Sequence, residues 1–246
     1  LGTWLSWNDK QWVIGDKASV ERRAEDTIRS FSNEVDDFSD SRDREMCLNW
    51  IRRSGNRSHI KAMYEQARHR LPIDQGKLDA DIHSINAEGI IIDLKTGEAR
   101  QSRQDDYCTS SIRATYEPGA DCPQFKAFLD RIMDGSDDLK SYLQRAVGYS
   151  LTGDIRERCF FIAHGIGANG KSVFLTLIQK MMGDYGLTTP MTSLVNVKAN
   201  NGASNDIARM RGARFVTASE GEAHHRLKES FIKWITGGDP IVARLL

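Results

Sequence analysis

Eight consecutive residues, Gly165-Ile166-Gly167-Ala168-Asn169-Gly170-Lys171-Ser172, satisfy every fixed position of the pattern G-x-x-x-x-G-K-[ST]. The residue types say what such a stretch can hold. Glycines let the main chain curl until successive N–H groups face one centre, which suits phosphate oxygens. A helix starting near Lys171 adds the positive end of its dipole at the same place. Lys171 supplies a point charge for the outer phosphates, and the Ser172 hydroxyl can ligate a Mg²⁺ that bridges two of them. Gly165 through Val173 are therefore the nucleotide-binding candidates, with ATP and Mg²⁺ as the implied ligands.

Phosphoryl chemistry at such a loop also needs an acid to organise the metal and activate water. The run "ARFVTASEGEA" offers one. Phe215–Ala218 reads as a short buried strand, which sets Ser219 and Glu220 at its carboxyl end, the edge where open α/β sheets bind ligands. Glu220 is the first choice for metal and water, and Glu222 is the alternative. His224 and His225 follow closely and read as solvated loop histidines.

Elements must position these groups. "CFFIA", Cys159 to Ala163, reads as a buried strand entering the loop. "SVFLTLIQKMM" reads as the helix leaving it, with Phe174, Leu177, Ile178 and Met181 on the inward stripe. Upstream, "TWLSWNDKQWVI" predicts a hairpin turning at Asn8-Asp9, with Trp4, Trp7 and Trp12 as core anchors rather than a base-stacking platform. Helices are predicted over Ser19 to Val35 (capped by Ser19), Arg42 to Arg53, and Ser58 to Leu71, stopped by Pro72. Basic residues crowd the last two, from Arg52 to Arg70, and read as a solvated face in preference to a DNA contact. Ile90 to Ile92 predict a strand that turns back at Lys95-Thr96-Gly97-Glu98. Pro123 is suited to the first position of a helix bearing Phe125, Phe128, Leu129 and Ile132. Another helix follows Ser136 or Asp137 and ends near Gly153.

Bulk properties narrow the class. The 246 residues allow one or two domains with ample core. Lys/Arg and Asp/Glu balance at 34 each, so no global polybasic signature exists. Ala146 to Leu246 carries 12 Lys/Arg against 8 Asp/Glu, a mild local excess compatible with nucleotide or nucleic acid. Cys47, Cys108, Cys122 and Cys159 lie far apart, without metal-ligand spacing, and read as free thiols in a reducing compartment. No apolar run approaches the roughly 20 residues of a membrane span.

Taken together, "GIGANGKS", "ASEGE" and "TGGDPIVAR" resemble the phage/plasmid-type primase-helicase family, whose motor is a superfamily 3 helicase. "LDADIHSINAEGIIIDLKTGE", "YEPGADCPQFKAFLDRI" and "YLQRAVGYSLTGD" resemble the module preceding that motor in phage, plasmid and poxvirus-type proteins. The fold this implies is an α+β N-terminal module, mostly helical with a β-hairpin, over residues 1–120. A helical lead-in (121–153) and a partial α/β P-loop core of the AAA+-like type complete residues 121–246. The implied activity is that of an ATP-dependent DNA helicase or translocase. Single-stranded or forked DNA is its partner, and a ring of copies, a hexamer, its assembly. It would work in the host cytosol or the site of viral or plasmid replication. In the family's motif Gly165 to Ser172 is the Walker A loop and Glu220 the Walker B acid. "TGGDPIVAR" leads toward the DNA-contacting loop, with Arg244 near it. Two departures stand out. Ser219 occupies a position where many such motors carry a second acid. The family's sensor Asn and arginine finger belong beyond Leu246, so the sequence reads as a fragment expected to bind nucleotide weakly or not at all and to hydrolyse it poorly. The competing readings are a P-loop ATPase switch or an assembly module that unwinds nothing.

Overall fold

A computed structural model of the chain describes residues 3–15, 17–196, 203–218 and 226–238. Its contacts divide the chain into two units: residues 1–8 with 12–78, and residues 9–11 with 79–246.

In the first unit, β1 (Trp4–Trp7) pairs antiparallel with β2 (Trp12–Gly15), and Trp7 lies opposite Trp12. Their rings meet edge to face at 5.8 Å, the arrangement that ring quadrupoles favour. Three helices follow: α1 (Lys17–Ser30), α2 (Ser41–Ser54) and α3 (Arg57–Arg70). Ala24 and Ile28 of α1 and Ile60 and Tyr64 of α3 form the core, and Trp4 packs on it, as an anchor should. Asp40 caps α2 by accepting the N–H of Arg42 at 2.9 Å.

The predicted helix Ser19 to Val35 differs at both ends. Ser19 lies inside the first turn of α1 rather than before it, and the α-helix gives way at Phe31 to a 3₁₀ stretch running to Asp37. "FSNEVDD" explains the tightening: Ser, Asn and Asp side chains compete for backbone hydrogen bonds and disfavour continued α-helix. Val35 nevertheless stays buried.

The second unit opens with an antiparallel meander of β3 (Ser84–Ala87), β4 (Ile90–Asp93) and β5 (Ala99–Gln101). The β3–β4 turn is Glu88-Gly89, both at positive φ, as a two-residue primed turn requires. The Asp93 carboxylate accepts the N–H groups of Lys95 and Thr96 at 2.7 and 3.0 Å, which closes the predicted β4–β5 turn. These amides, the Thr96 N–H foremost, hold its pKa below the ordinary carboxylate value. Helix α4 (Pro123–Ile132) begins on its proline, and α5 (Asp137–Leu151) is capped by Ser136.

Helix α6 (Lys171–Met182) then packs on β6 (Gly186–Thr189) and β7 (Phe215–Ala218). The two strands pair in parallel, with Thr189 opposite Ala218. Helix α7 (Ala203–Arg209) lies between them in sequence, and α8 (Glu229–Gly237) follows. Ile85, Ile178, Met182 and Tyr185 form this unit's core. The predicted stripe on α6 holds at Phe174, Ile178 and Met181, which lie in or against this core, whereas Leu177 is 45% exposed and Met182 is fully buried.

Arg214, just before β7, ties the unit together. Its guanidinium donates to the carbonyls of Ser84 and Leu151 at 2.8 Å each and of Asp81 at 3.2 Å. It also lies 4.6 Å from the centre of the Tyr185 ring. Tyr185 donates its hydroxyl to the Ser110 carbonyl at 3.0 Å, and its burial pushes the phenol pKa up. Burial likewise raises the Cys108 thiol to about 12, so this cysteine stays protonated and inert. All four cysteines are free thiols.

Candidate phosphate-binding loop

The loop from Gly165 to Gly170 uses three left-handed residues, with φ of 152° at Gly165, 60° at Ala168 and 84° at Gly170. Space adds to torsion at two of the three glycines, against packed Ile132 and Phe128 at Gly170 and against the movable end of Asn169 at Gly165. A Cβ on Gly165 would lie 2.3 Å from Asn169 Nδ2, and one on Gly170 would lie 2.6 Å from Ile132 Cγ2 and 3.3 Å from Phe128. Helix α4 thus presses directly on the last turn before α6. Gly167 meets nothing within 4 Å.

Lys171 is the first residue of α6, and its ammonium folds back over the loop. It donates to the Gly165 carbonyl at 2.8 Å, the Ile166 carbonyl at 3.3 Å and Asn169 Oδ1 at 2.8 Å. Among the described residues nothing accepts a hydrogen bond from the N–H of Ile166, Gly167, Ala168 or Asn169. The loop is open to solvent: Ile166 is 91% exposed, and Ser172 and Val173 are exposed. Gly165 to Val173 therefore present free amide donors, an ammonium and a hydroxyl on one continuous stretch at a helix N-terminus. That inventory suits an anionic ligand with several oxygens.

The segment entering the loop corrects the expectation for it. Cys159 to Ala163 form no strand. Phe160 and Phe161 are about half exposed, and Ile162 is 71% exposed. An apolar run becomes a strand only when a neighbour takes its N–H and C=O groups. Among the described residues, β6 and β7 pair with each other and none pairs with this run. A sheet continuing from β7 into the loop is thus not formed here.

Glu220, Glu222, His224, His225 and Arg244 lie outside the described residues, as does Ser219. The strand leading to Glu220 is where the sequence puts it: β7 ends at Ala218, at the carboxyl edge of the parallel pair. Two contributions go beyond the fixed positions of the loop pattern. Asn169 is a hydrogen-bond partner of Lys171, and Ile132 of α4 fixes the shape of the loop at Gly170. The first is legible as an amide two residues from the lysine. The second has no local signal, because Ile132 lies far away in sequence.

The described residues contain no cluster of three or more His, Cys, Asp or Glu able to hold a metal, and no helix long and apolar enough to cross a membrane. Comparison with known proteins gives three matches. The family described as D5 N terminal like matches residues 1–134. A candidate helicase, L207/L206, of Acanthamoeba polyphaga mimivirus is 29% identical over 174 residues, which are 69% of this chain and 18% of the viral protein. The mitochondrial protein ymf21 of Marchantia polymorpha, whose name assigns no activity, is 26% identical over 127 residues, 47% of this chain and 69% of that protein. The chain thus spans less than a fifth of the length of its viral relative.

Proposed function

The chain belongs to the D5 N terminal like family, and from that premise we propose that it serves a primase-helicase-type protein as part of an ATP-dependent DNA helicase or translocase. Residues 1–120 act as the module preceding the motor, and residues 121–246 as helical lead-in and P-loop ATPase core of the superfamily 3 type. The likeness to a viral candidate helicase supports this reading.

The observation that carries it is the loop at Gly165 to Ser172. Lys171 is satisfied by three loop acceptors, and four neighbouring amides have no acceptor among the described residues. An incoming triphosphate offers the ammonium and the amides stronger, charged partners in the same place. Ser172 would hold a Mg²⁺, which would supply charge neutralisation on the phosphates, and Glu220, two residues beyond β7 in sequence, would position and activate the attacking water. Arg244, by its place in the motif, is the candidate for the DNA contact, and the working assembly is a hexameric ring on single-stranded or forked DNA.

The test is nucleotide binding and hydrolysis with Mg²⁺, in the presence and absence of single-stranded DNA. We expect Lys171→Ala to abolish tight nucleotide binding, and Glu220→Gln to retain binding while hydrolysis falls by two orders of magnitude or more, as loss of general base catalysis predicts. Undiminished binding by Lys171→Ala overturns the assignment. Hydrolysis that DNA does not stimulate removes the helicase part and leaves a nucleotide switch.

A further inference from the structure

Charge is segregated in the first unit although the whole chain is neutral. Residues 21–45 hold nine Asp/Glu against five Lys/Arg. Residues 49–70 reverse this, with Arg52, Arg53, Arg57, Lys61, Arg68 and Arg70 against Glu65 alone. The basic stretch spans the end of α2 and all of α3. Arg53, Arg57, Arg68 and Arg70 are exposed and make no side-chain hydrogen bond or ion pair among the described residues, and Lys61 reaches only the exposed Glu65, at 3.7 Å.

Local structure explains part of this and leaves part over. Arg68 and Arg70 stand in the last turn of α3, where a cation complements the helix dipole. Arg57 stands at the first position of the same helix, where a cation opposes it, and that turn holds no acid to compensate. Arg57, Lys61 and Arg68 recur at i, i+4 and i+11, so they line one side of α3 over about 16 Å. Unneutralised charge set against a helix's own preference marks a binding surface more often than a stabilising one. A shallow cavity beside Asn56 is a weaker candidate, because Glu25 lines it and pairs with Arg29 at 3.7 Å.

Next to these arginines α2 buries no residue at all, and Trp50 is 49% exposed. Its ring meets Phe31 edge to face at 5.2 Å, which steadies it without covering it. Arg53 is three residues on, on the same side of α2. An exposed indole beside unpaired guanidinium groups is the combination that holds an unpaired base and its phosphates.

We propose that the end of α2 together with α3 is a docking surface for single-stranded nucleic acid. Arg53, Arg57, Lys61 and Arg68 contact successive phosphates, and Trp50 stacks on a base. The surface lies wholly in the first unit and Lys171 belongs to the second, so the proposal needs no nucleotide and stands independently of the function proposed above.

The experiment is fluorescence-anisotropy titration of the full chain, without nucleotide, with a labelled oligo-dT longer than the roughly 4–16 nucleotides one compact site covers, over a range of salt. Each phosphate contact contributes about 0.7 to the slope of log K against log salt. Arg53→Ala/Arg57→Ala/Arg68→Ala is expected to weaken binding at least tenfold at low salt and to lower the slope by about 2. The corresponding triple Arg→Lys variant keeps the slope. Trp50→Ala weakens binding about tenfold and leaves the slope unchanged, since stacking releases no counterions. Lys180→Ala, an exposed cation on α6 in the second unit, binds like the native chain. A triple Ala variant that binds as the native chain does, with circular dichroism unchanged, overturns the proposal. Duplex of the same length bound as tightly as oligo-dT overturns its single-strand part. Loss of binding in Lys180→Ala would assign the DNA contact to the second unit and overturn it as well.

Discussion

Gly170 answers to torsion and to a neighbour at once. Its φ of 84° is costly for any residue with a Cβ, by about 1–2 kcal/mol, and Ile132 leaves no room for one. Gly170→Ala should therefore lower stability by at least about 2 kcal/mol, tilt α6 away from α4 and abolish nucleotide binding. Gly167→Ala is the control. With open space around it, its melting temperature should stay within the change that about 0.5 kcal/mol causes. Asp106 gives a prediction with a sign. The Arg100 guanidinium, at 2.5 and 2.9 Å, holds its carboxyl below the ordinary 3.8, against the opposing effect of burial and with help from the Arg103 N–H at 2.7 Å. A depressed folded pKa stabilises fully above the unfolded value and loses that contribution as pH falls through the folded one. Asp106→Asn should melt below the native chain at neutral pH, and the gap should close once pH drops beneath 3.8. A gap of constant size across that range would show that the carboxylate's charge is irrelevant.

At the scale of elements, Arg214 joins the start of β7 to β3, to the last carbonyl of α5 and to the Tyr185 ring. Arg214→Ala strands those carbonyls and should cost about 3 kcal/mol in urea unfolding, with Arg214→Lys in between, because an ammonium cannot span the acceptors of a planar fork. Nothing in the sequence announces this residue. Its partners are main-chain carbonyls, which have no residue identity to read. Helices were legible where periodicity met a terminal signal, as at Pro123 and Ser136, and the end of α1 was lost where the apolar period continued through residues that cannot sustain an α-helix. The loop itself was legible because its torsions demand glycine at fixed positions. Its incoming strand was misread, since apolar content at 159–163 speaks of burial and says nothing of a pairing neighbour. Strand β6, "GLTT", lacks any alternation and gave no signal.

For the whole molecule, the two units carry separate cores, one around Ile28 and Tyr64 and one around Met182 and Tyr185. Truncating Tyr64 or Met182 to Ala should each cost about 2–5 kcal/mol. Hydrogen exchange should show the loss confined to the unit that holds the substitution. Protection lost in both units from either change would reveal one cooperative body. The bonds of Arg214 bear on the order of events during synthesis. They reach back 130 residues to Ser84 and 133 to Asp81. At about 5–20 residues per second the ribosome needs several seconds to bridge that interval. Throughout it the Asp81 and Ser84 carbonyls that Arg214 takes stay bound to water, so the second unit closes late, from its C-terminal side, and a chaperone arriving in that window would meet a paired meander still without its clasp.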